Sequence, residues 1–467
     1  MKIEEPAPER FLCQLWDEEN LIGRRLCTVD GRSVEIVSRG TRNLDAGPDF
    51  RDATVVIDGQ MCCGDIEIHP VAVDWYRHGH HRDPRYNNVV LHVVTMDASP
   101  EERTTRQDGV EIPVLNLDQF LPKPAEQLAE EGGTSTAPTA VDCALQRLSE
   151  AHILQVVEMA GDERLAIKCL RFQEERLVDD WDQILYRGFA EALGYSKNQV
   201  PFRKLADRLP YAEICRAIYG AGEEVAWRRA QAYLFGTAGL LPSQEELAGA
   251  DAAARDYVVA LAAEWEAFPY RRKIDPLRKE EWLFFRLRPQ NFPTRRIAAL
   301  AALVVRCAEQ GFLLSLVRRV QTGSRHIAHL GRELTGVLSV EADQFWRTHY
   351  WFEAATCGAM SGGGRLLGPE RAADMVVNIV FPCLMAYAKE TDDGQLCTLV
   401  AQAYAQTPLL SDNSIIRQMS QRLFARRPAP AVESARRQQG LIQLYKTLCQ
   451  QGQCSRCLEH FQLRPSA

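Results

Sequence analysis

The spacing of apolar residues changes once along this 467-residue chain, and that change limits the folds available to it. Residues 26–96 contain short runs of alternating or β-branched apolar residues, separated by turn-forming pairs such as Asp30-Gly31 and Asp58-Gly59. This pattern is typical of strands joined by tight turns. After about residue 140 the apolar residues recur at helical spacing in Leu-, Ala- and Arg-rich text. The sequence therefore predicts an α+β protein in which a strand-rich part precedes a large all-α part.

The boundary between the two parts falls in the segment LPKPAEQLAEEGGTSTAPTA, which combines Pro, Gly, Ser and Thr with charge and lacks an apolar period. Such a composition is typical of a linker. We therefore expect three regions: a strand-rich domain over residues 1–120, a linker over 121–140 and a helical domain over 141–467. A short amphipathic helix within residues 9–20 should open the first domain, because four apolar residues share one of its faces: Phe11, Leu12, Leu15 and Trp16.

The first domain contains a candidate metal site. Asp49 precedes the apolar strand ATVVI, and the strand DIEIH returns after the turn at Asp58-Gly59. Alternate residues of a strand face the same side, so Glu67 and His69 should point the same way. Two carboxylates and an imidazole that converge can bind Mg²⁺ or Mn²⁺. A cation bound there would assist phosphodiester hydrolysis, because it polarises the phosphate and lowers the pKa of its bound water.

The residues PD at 48–49 and EIH at 67–69 resemble the Pro-Asp…(Asp/Glu)-x-Lys motif of a nuclease superfamily, with histidine in place of lysine. The resemblance implies a restriction-endonuclease-like fold for the strand-rich domain. It also implies that Asp49 and Glu67 are metal ligands and that His69 positions water. The exchange of lysine for histidine is equally consistent with a metal-ligand role for His69, or with lost catalysis. Members of that superfamily often add a carboxylate from an upstream helix, for which there are two candidates: Glu18 and Glu19.

Histidines are concentrated close to this motif. Five of the ten histidines in the chain lie within 24 positions: His69, His78, His80, His81 and His92. Imidazole is a metal ligand and a proton carrier near neutral pH, so this density indicates a site. We expect a loop to bring His78 and His80 inward as further metal ligands. His92 alternates with valines, as a buried core histidine does, and His81 lies in a charged turn.

Three cysteines and a histidine lie close together at the C-terminal end: Cys449, Cys454, Cys457 and His460. Thiolates at this C-x4-C-x2-C spacing bind Zn²⁺ or anchor an iron-sulfur cluster. With His460 as the fourth ligand the set suits a structural zinc site. With a distant fourth cysteine, Cys13 or Cys27, it suits an iron-sulfur cluster. The second arrangement is similar to that of iron-sulfur nucleases of the same superfamily, among them CRISPR adaptation nucleases, where one early cysteine joins three late ones.

The formal net charge of −7 means that a nucleic acid would have to bind through a local basic patch. The segment FFRLRPQNFPTRR provides one, and we expect Arg288, Arg295 and Arg296 to contact phosphate. The latter two fall in the first turn of a predicted helix, where cations oppose the helix dipole, so an acidic partner is indicated. That partner is either a phosphate or a buried carboxylate. The segment SGGGRLLG at 361–368 is either a phosphate cradle or, since it lacks the Lys-Ser/Thr ending of a P-loop, a flexible turn.

The sequence predicts a cytoplasmic protein without a membrane span. It has no run of about 18 uninterrupted apolar residues, and its start, MKIEEPAPER, is acidic and lacks an apolar signal region. Most of the fourteen cysteines stand singly in apolar helical text, as small buried hydrophobic residues do.

Several longer phrases resemble an uncharacterised bacterial protein family over nearly the whole chain: DAGPDF, EIH, DWYRHGH, YNNVVLHVV, RPQNFPTRRIA and the cysteine-bearing tail. This resemblance implies no activity. The residues themselves leave three hypotheses. The first is a metal-dependent nuclease, and the second is a non-catalytic scaffold that binds nucleic acid or protein and has a structural metal site. The third, a small-molecule hydrolase built on the histidines, has less support because no His-x-x-x-His pair appears.

Overall fold

A computed structural model describes most of the chain, in these ranges: residues 7–18, 21, 24–43, 47–96, 103–121, 123–130, 143–285, 287–353, 364–424, 432–450 and 456–461. The described residues divide into two compact units. The first contains the residues up to Ala144 together with residues 448–450, and the second contains Leu145–Thr447 and residues 456–461.

Among its described residues, the first unit contains nine strands and three α-helices. The strands are β1 (Leu26–Cys27), β2 (Ser33–Ser38), β3 (Thr41–Arg42), β4 (Phe50–Ile57), β5 (Gln60–His69), β6 (Val89–Val94), β7 (Thr104–Thr105), β8 (Glu111–Ile112) and β9 (Val114–Asn116). The helices are α1 (Glu9–Glu18), α2 (Asp74–Arg77) and α3 (Ala125–Glu130). The predicted opening helix and strand-rich part are thereby confirmed.

One mixed sheet organises this unit, with the strand order β1-β2-β4-β5-β6-β9 and with β3 also paired to β4. Strands β2, β4 and β5 pair in antiparallel fashion, whereas β6 runs parallel to β5 and β9 runs parallel to β6. The change to parallel pairing requires a crossover between β5 and β6, because parallel neighbours cannot be joined by a tight turn. The crossover contains α2 and the histidine-rich segment.

The core of the first unit lies between the sheet and α1. Trp16 of α1 and Phe50 of β4 are fully buried and meet edge to face, with ring centroids 6.4 Å apart. Ile66, Leu91 and Leu115, from three neighbouring strands, are buried in the same cluster. Because the central strand β6 is covered on both faces, it is almost continuously apolar, with His92 as its single polar residue.

Part of the predicted linker is folded instead. Residues 125–130 form α3, and Ala125 and Leu128 are buried in the core of the first unit. The Asp118 carboxylate accepts a hydrogen bond from the Ala125 N–H at 3.0 Å, which satisfies a backbone donor at the start of this helix. The Pro- and Gly-rich composition of this segment therefore did not indicate the short helix α3, which contributes two apolar residues to the core. Residues 131–142 of the predicted linker lie outside the described residues.

The second unit is helical, as predicted. Its α-helices are α4 (Glu150–Arg176), α5 (Trp181–Leu193), α6 (Gln199–Arg208), α7 (Tyr211–Ile218), α8 (Glu223–Thr237), α9 (Ala252–Glu266), α10 (Pro293–Cys307), α11 (Phe312–Thr322), α12 (Ile327–Leu338), α13 (Pro369–Met375), α14 (Phe381–Glu390), α15 (Gly394–Gln406), α16 (Ser414–Phe424), α17 (Ala435–Leu444) and α18 (Arg456–His460). Two π-helical segments extend α13 and α17, at Val376–Val380 and Tyr445–Cys449. A short antiparallel pair, β10 (Val340–Glu341) with β11 (Arg365–Leu367), interrupts the helices, and the helical spacing of this region did not predict it.

One continuous helix, Pro369–Glu390, has the length and hydropathy that could span a membrane. Of its most apolar 18-residue window, 72% is buried inside the protein. A long apolar helix that is mostly buried in this way belongs to the core of the protein.

Candidate metal centre

The hairpin of β4 and β5 brings Asp49 and Glu67 together. Asp49 immediately precedes β4, and the pairing of Phe50 with Ile66 sets it beside the end of β5. The Asp49 N–H donates to Glu67 Oε2 at 3.0 Å, and the Ile68 N–H donates to Asp49 Oδ2 at 3.0 Å. Each carboxylate therefore accepts a backbone hydrogen bond from the opposite strand, and this fixes the separation of the two acids.

A β-bulge in β4 sets this geometry. The register shifts between Phe50 and Ala53, and Asp52 adopts a left-handed conformation with φ of 58°. The Asp52 N–H, which the regular ladder would have used, donates to the buried Asp65 carboxylate at 3.1 Å. Bulges bend a strand and redirect the residues beside them, so this one controls where Asp49 points.

The crossover after β5 returns two more histidines to the same place. Gly79, with φ of 78°, makes the left-handed turn between α2 and the 3₁₀ turn that begins at His80. His78 Nδ1 lies 3.1 Å from His69 Nε2. The His80 ring stacks on Tyr86 with centroids 3.9 Å apart, and its Nε2 lies 3.2 Å from Glu67 Oε1.

Two sets of potential ligand atoms converge here, and within each set all atoms lie within 4.8 Å of one another. One set is His69, His78 and His80, and the other is Glu9, Glu67 and His69. His80 Nε2 is buried and, although it lies 3.2 Å from Glu67 Oε1, it forms no well-oriented hydrogen bond with any described residue, so it is available to bind a metal together with that carboxylate. These residues fit a divalent cation by distance and by donor type.

Glu9 is the ligand that the sequence did not reveal. It stands in the first turn of α1 and is half-buried beside Glu67. The upstream helix does provide a carboxylate, as the resemblance implied, but from its start. The side chain of Glu18 and the whole of Glu19 lie outside what the structure describes. Glu9 opens an amphipathic helix, but no local sequence pattern indicated that this helix lies beside the strand bearing Glu67.

Asp49 stands beside these sets and does not belong to either. Its carboxylate contacts the Cys13 thiol of α1. Burial, and after it the negative charge of Asp49, raises the pKa of this thiol well above its usual value. Cys13 is thus held protonated next to Asp49. Cys27, the other predicted distant thiol, is exposed on β1.

Burial shifts the pKa values of Glu67, Asp49 and His69. It raises the pKa of Glu67 to about 8, with Glu9 adding to the shift. Burial and the charge of Glu67 raise the pKa of Asp49 to about 7. Burial, and after it the neighbouring histidines, lowers the pKa of His69 to about 2, because both disfavour a positive charge on its ring. Neutral imidazoles beside acids that resist ionisation are an environment that a cation would stabilise.

A chain of contacts leads from His69 into the core. His69 Nδ1 lies 2.9 Å from His92 Nε2, and His92 Nδ1 lies 3.0 Å from Thr104 Oγ1. His69 and His92 are fully buried, and Thr104 of β7 is nearly so. His92 is therefore a satisfied core histidine, as its alternation with valines suggested, but one that contacts the candidate site. His81 does not join the two ligand sets.

The C-terminal residues are described only in part. Cys449 is half-buried, Cys457 is buried, and Cys454 lies outside the described residues. His460 is exposed, and its Nε2 lies 3.2 Å from the Glu163 carboxylate. The predicted zinc or iron-sulfur site therefore stays a prediction.

The three arginines that we expect to contact phosphate are in the helical unit. Arg288 is exposed, whereas Arg295 and Arg296 are buried in the first turn of α10. Neither buried guanidinium makes a salt bridge to a carboxylate within the described part of the chain. Both donate to neutral oxygens instead. Arg295 donates to the backbone carbonyls of Trp346, His349 and Arg365. Arg296 donates to the Leu366 carbonyl, to Asn291 Oδ1 and to the Tyr195 hydroxyl.

Comparison with known proteins gives one family. Its description is "Protein of unknown function (DUF2851)", and it matches residues 9–413, which is most of the chain. No curated protein and no solved structure matches.

Proposed function

The chain belongs to the DUF2851 family, as the phrases in its sequence predicted, and because the family's description names no activity we propose a function from the residues: metal-dependent hydrolysis of phosphodiester bonds in nucleic acid. The observation that carries the proposal is the convergence of ligand atoms from α1, β5 and the crossover in two sets that share the buried His69. Three separate elements contribute, and one buried nitrogen, His80 Nε2, forms no well-oriented hydrogen bond with any described residue.

The two ligand sets indicate one ion. Both include His69, whose Nε2 faces Glu67 Oε1 at 3.5 Å and His78 Nδ1 at 3.1 Å. An imidazole nitrogen has one lone pair to donate, so the two sets compete for it. Of Mg²⁺ and Mn²⁺, the mixture of imidazoles and carboxylates favours Mn²⁺, because Mg²⁺ prefers oxygen ligands. A bound Mn²⁺ would polarise the scissile phosphate and lower the pKa of its water.

Each residue then has an assigned part. Glu67 binds the ion through Oε1, since Oε2 accepts the Asp49 N–H. We assign His69 as a ligand, rather than as the group that positions water, because its fully buried ring is held neutral. Glu9, His78 and His80 complete the candidate ligands. Asp49, the other acid of the nuclease-like motif, lies beside these ligands.

A reducing, cytoplasmic location accompanies this proposal. Nine cysteines within the described ranges are free thiols, including the buried Cys169, Cys307 and Cys383. Unpaired thiols persist where glutathione and thioredoxin keep them reduced.

The test is cleavage by the Glu67→Gln variant. We expect the purified wild-type chain to cut labelled single-stranded DNA, duplex DNA or RNA when Mn²⁺ is added, and Glu67→Gln to lose at least a hundredfold of that rate, because an amide is a weaker metal ligand than a carboxylate. Glu35→Gln is the matched control: Glu35 is exposed on β2 of the same sheet, away from the ligand sets. Equal cleavage by Glu67→Gln and the wild type would contradict the proposal.

A specific observation favours the rival, a non-catalytic scaffold. Asp49 and Glu67 both accept backbone hydrogen bonds across the hairpin, which is also what purely structural acids do. The only lysines among residues 1–144 are Lys2 and Lys123, so none lies in the strands to replace the motif's lysine. Calorimetric binding of Mn²⁺ without cleavage of any of the three substrates would support the scaffold.

A further inference from the structure

A cavity of about 350 Å³ in the helical unit is lined by an unusual number of cations. Five arginines line it and only one acid does: Arg288, Arg295, Arg296, Arg365 and Arg371, with Glu370. None of the residues of the candidate metal centre takes part. The cavity is at the small end of the range of ligand sites, which is roughly 300–1,000 Å³.

The two deepest arginines lack a charged partner. Arg295 and Arg296 are 1% and 6% exposed, and their hydrogen bonds go to neutral oxygens. The Nε atom of each has no hydrogen-bond partner within the described ranges. Burying a cation without an anion costs free energy, and hydrogen bonds offset that desolvation cost only when every donor of the cation is used. An anion in the cavity would remove that cost.

The remaining arginines are distributed around the opening. Arg365 pairs with the exposed Glu341 at 2.7 Å, and Arg371 lies over the Tyr195 ring at 4.2 Å and near Asp374 at 3.5 Å. Arg288 is exposed and forms no ion pair with any described residue. Arg288 is therefore a cation whose charge is available to a ligand.

Two helices begin at this cavity. α10 starts at Pro293, and the continuous helix Pro369–Glu390 starts beside Gly368. The residues before them, Phe292 and Gly368, make no side-chain cap, so backbone N–H groups of each first turn are left to other acceptors. Helix starts carry partial positive charge and bind phosphate groups.

From the cavity, the two buried guanidinium groups that have no carboxylate partner, and the two helix starts, we infer that this cavity is a binding site for the phosphate group of a small molecule. A fork of guanidinium N–H donors matches phosphate oxygens well. The volume admits a phosphorylated metabolite of mononucleotide size and excludes a duplex. The site is separate from the proposed hydrolytic centre and stands without it.

The test is calorimetric titration of the full chain at constant ionic strength, with inorganic phosphate and with a nucleoside 5′-monophosphate as the two probes. We expect saturable binding, with Arg288→Gln weakening it about tenfold through loss of one charge-assisted hydrogen bond. Arg272→Gln is the matched control, since Arg272 is exposed in the same unit and does not line the cavity.

The outcomes separate the sources of phosphate. Tighter binding of the nucleotide supports a phosphorylated metabolite as ligand, and equal binding of the two probes supports free phosphate at the same site. No saturable binding of either probe, or an equal loss in Arg288→Gln and Arg272→Gln, overturns the inference. Glu67→Gln should bind phosphate as the wild type does, so failure of the hydrolytic proposal leaves this result intact.

Discussion

His69 can bind a metal through Nε2 only if its other ring nitrogen, Nδ1, carries the proton. That proton must then be donated to His92 Nε2, 2.9 Å away. His92 in turn must carry its own proton on Nδ1 and donate it to Thr104 Oγ1 at 3.0 Å. If the Thr104 hydroxyl instead donated to His92 Nδ1, His92 would carry its proton on Nε2 and donate it to His69 Nδ1. His69 would then carry its own proton on Nε2, where the metal should bind. The binding tautomer of His69 therefore depends on a threonine outside both ligand sets.

At this residue scale we expect Thr104→Val to weaken Mn²⁺ binding about 10- to 100-fold, the usual effect of losing an outer-shell partner. Valine matches threonine in shape but leaves the His92 N–H without an acceptor. Calorimetric titration with Mn²⁺ measures the change in affinity. Thr105→Val is the control, because the hydroxyl that contacts His92 belongs to Thr104 and not to Thr105. Unchanged affinity in Thr104→Val would show that the tautomer is set elsewhere.

At the scale of elements, the crossing of α4 and α17 in the second unit depends on glycine. α4 and α17 cross at Gly161 and Gly440. A Cβ atom on Gly440 would lie 1.8 Å from the Val157 carbonyl oxygen, and one on Gly161 would lie 2.4 Å from the Arg436 carbonyl oxygen. Both distances are far below van der Waals contact, so the two backbones approach at a distance that only glycine permits.

We therefore expect Gly440→Ala to lower the free energy of unfolding of the helical unit by about 1–3 kcal/mol, the usual cost of overpacking. The methyl group meets backbone, which cannot move aside as a flexible side chain can. Gly336→Ala on α12 is the control, because nothing lies within 4 Å of its added Cβ. That control should be neutral or stabilising by up to about 1 kcal/mol. Urea unfolding followed by circular dichroism measures both, and an equal stability of the two variants would disprove the tight crossing.

At the scale of the whole molecule, the bound metals can be counted. We expect the chain purified without oxygen to contain metal at its cysteine tail, either about one zinc without colour or an iron-sulfur cluster with visible absorption. Cys454→Ser should lower that metal content, while Cys63→Ser, exposed on β5, should not. Metal content unchanged by Cys454→Ser would exclude the tail as a ligand set.

The sequence alone determined what depends on neighbouring residues. The turn at Asp58-Gly59 has the positive φ values of a tight hairpin, 48° and 81°. That hairpin brings Asp49 beside Glu67 because β4 and β5 follow one another directly. The opening helix and the α+β order followed from periodicity in the same way, and the histidine-rich crossover was visible as composition.

Tertiary structure decided which distant residues meet. Glu9 is far from Glu67 in sequence, and Thr104 does not adjoin His92. The sequences of α1 and β7 contain no local pattern that distinguishes Glu9 or Thr104 from their neighbours. Arg295 and Arg296 were recognisable as cations at a helix start, but only the fold shows them buried without a carboxylate and facing one cavity with Arg365 and Arg371. Local pattern records the conformational preferences of adjacent residues, whereas these contacts arise when separate elements pack together, and one sequence does not encode that pairing in any local signal.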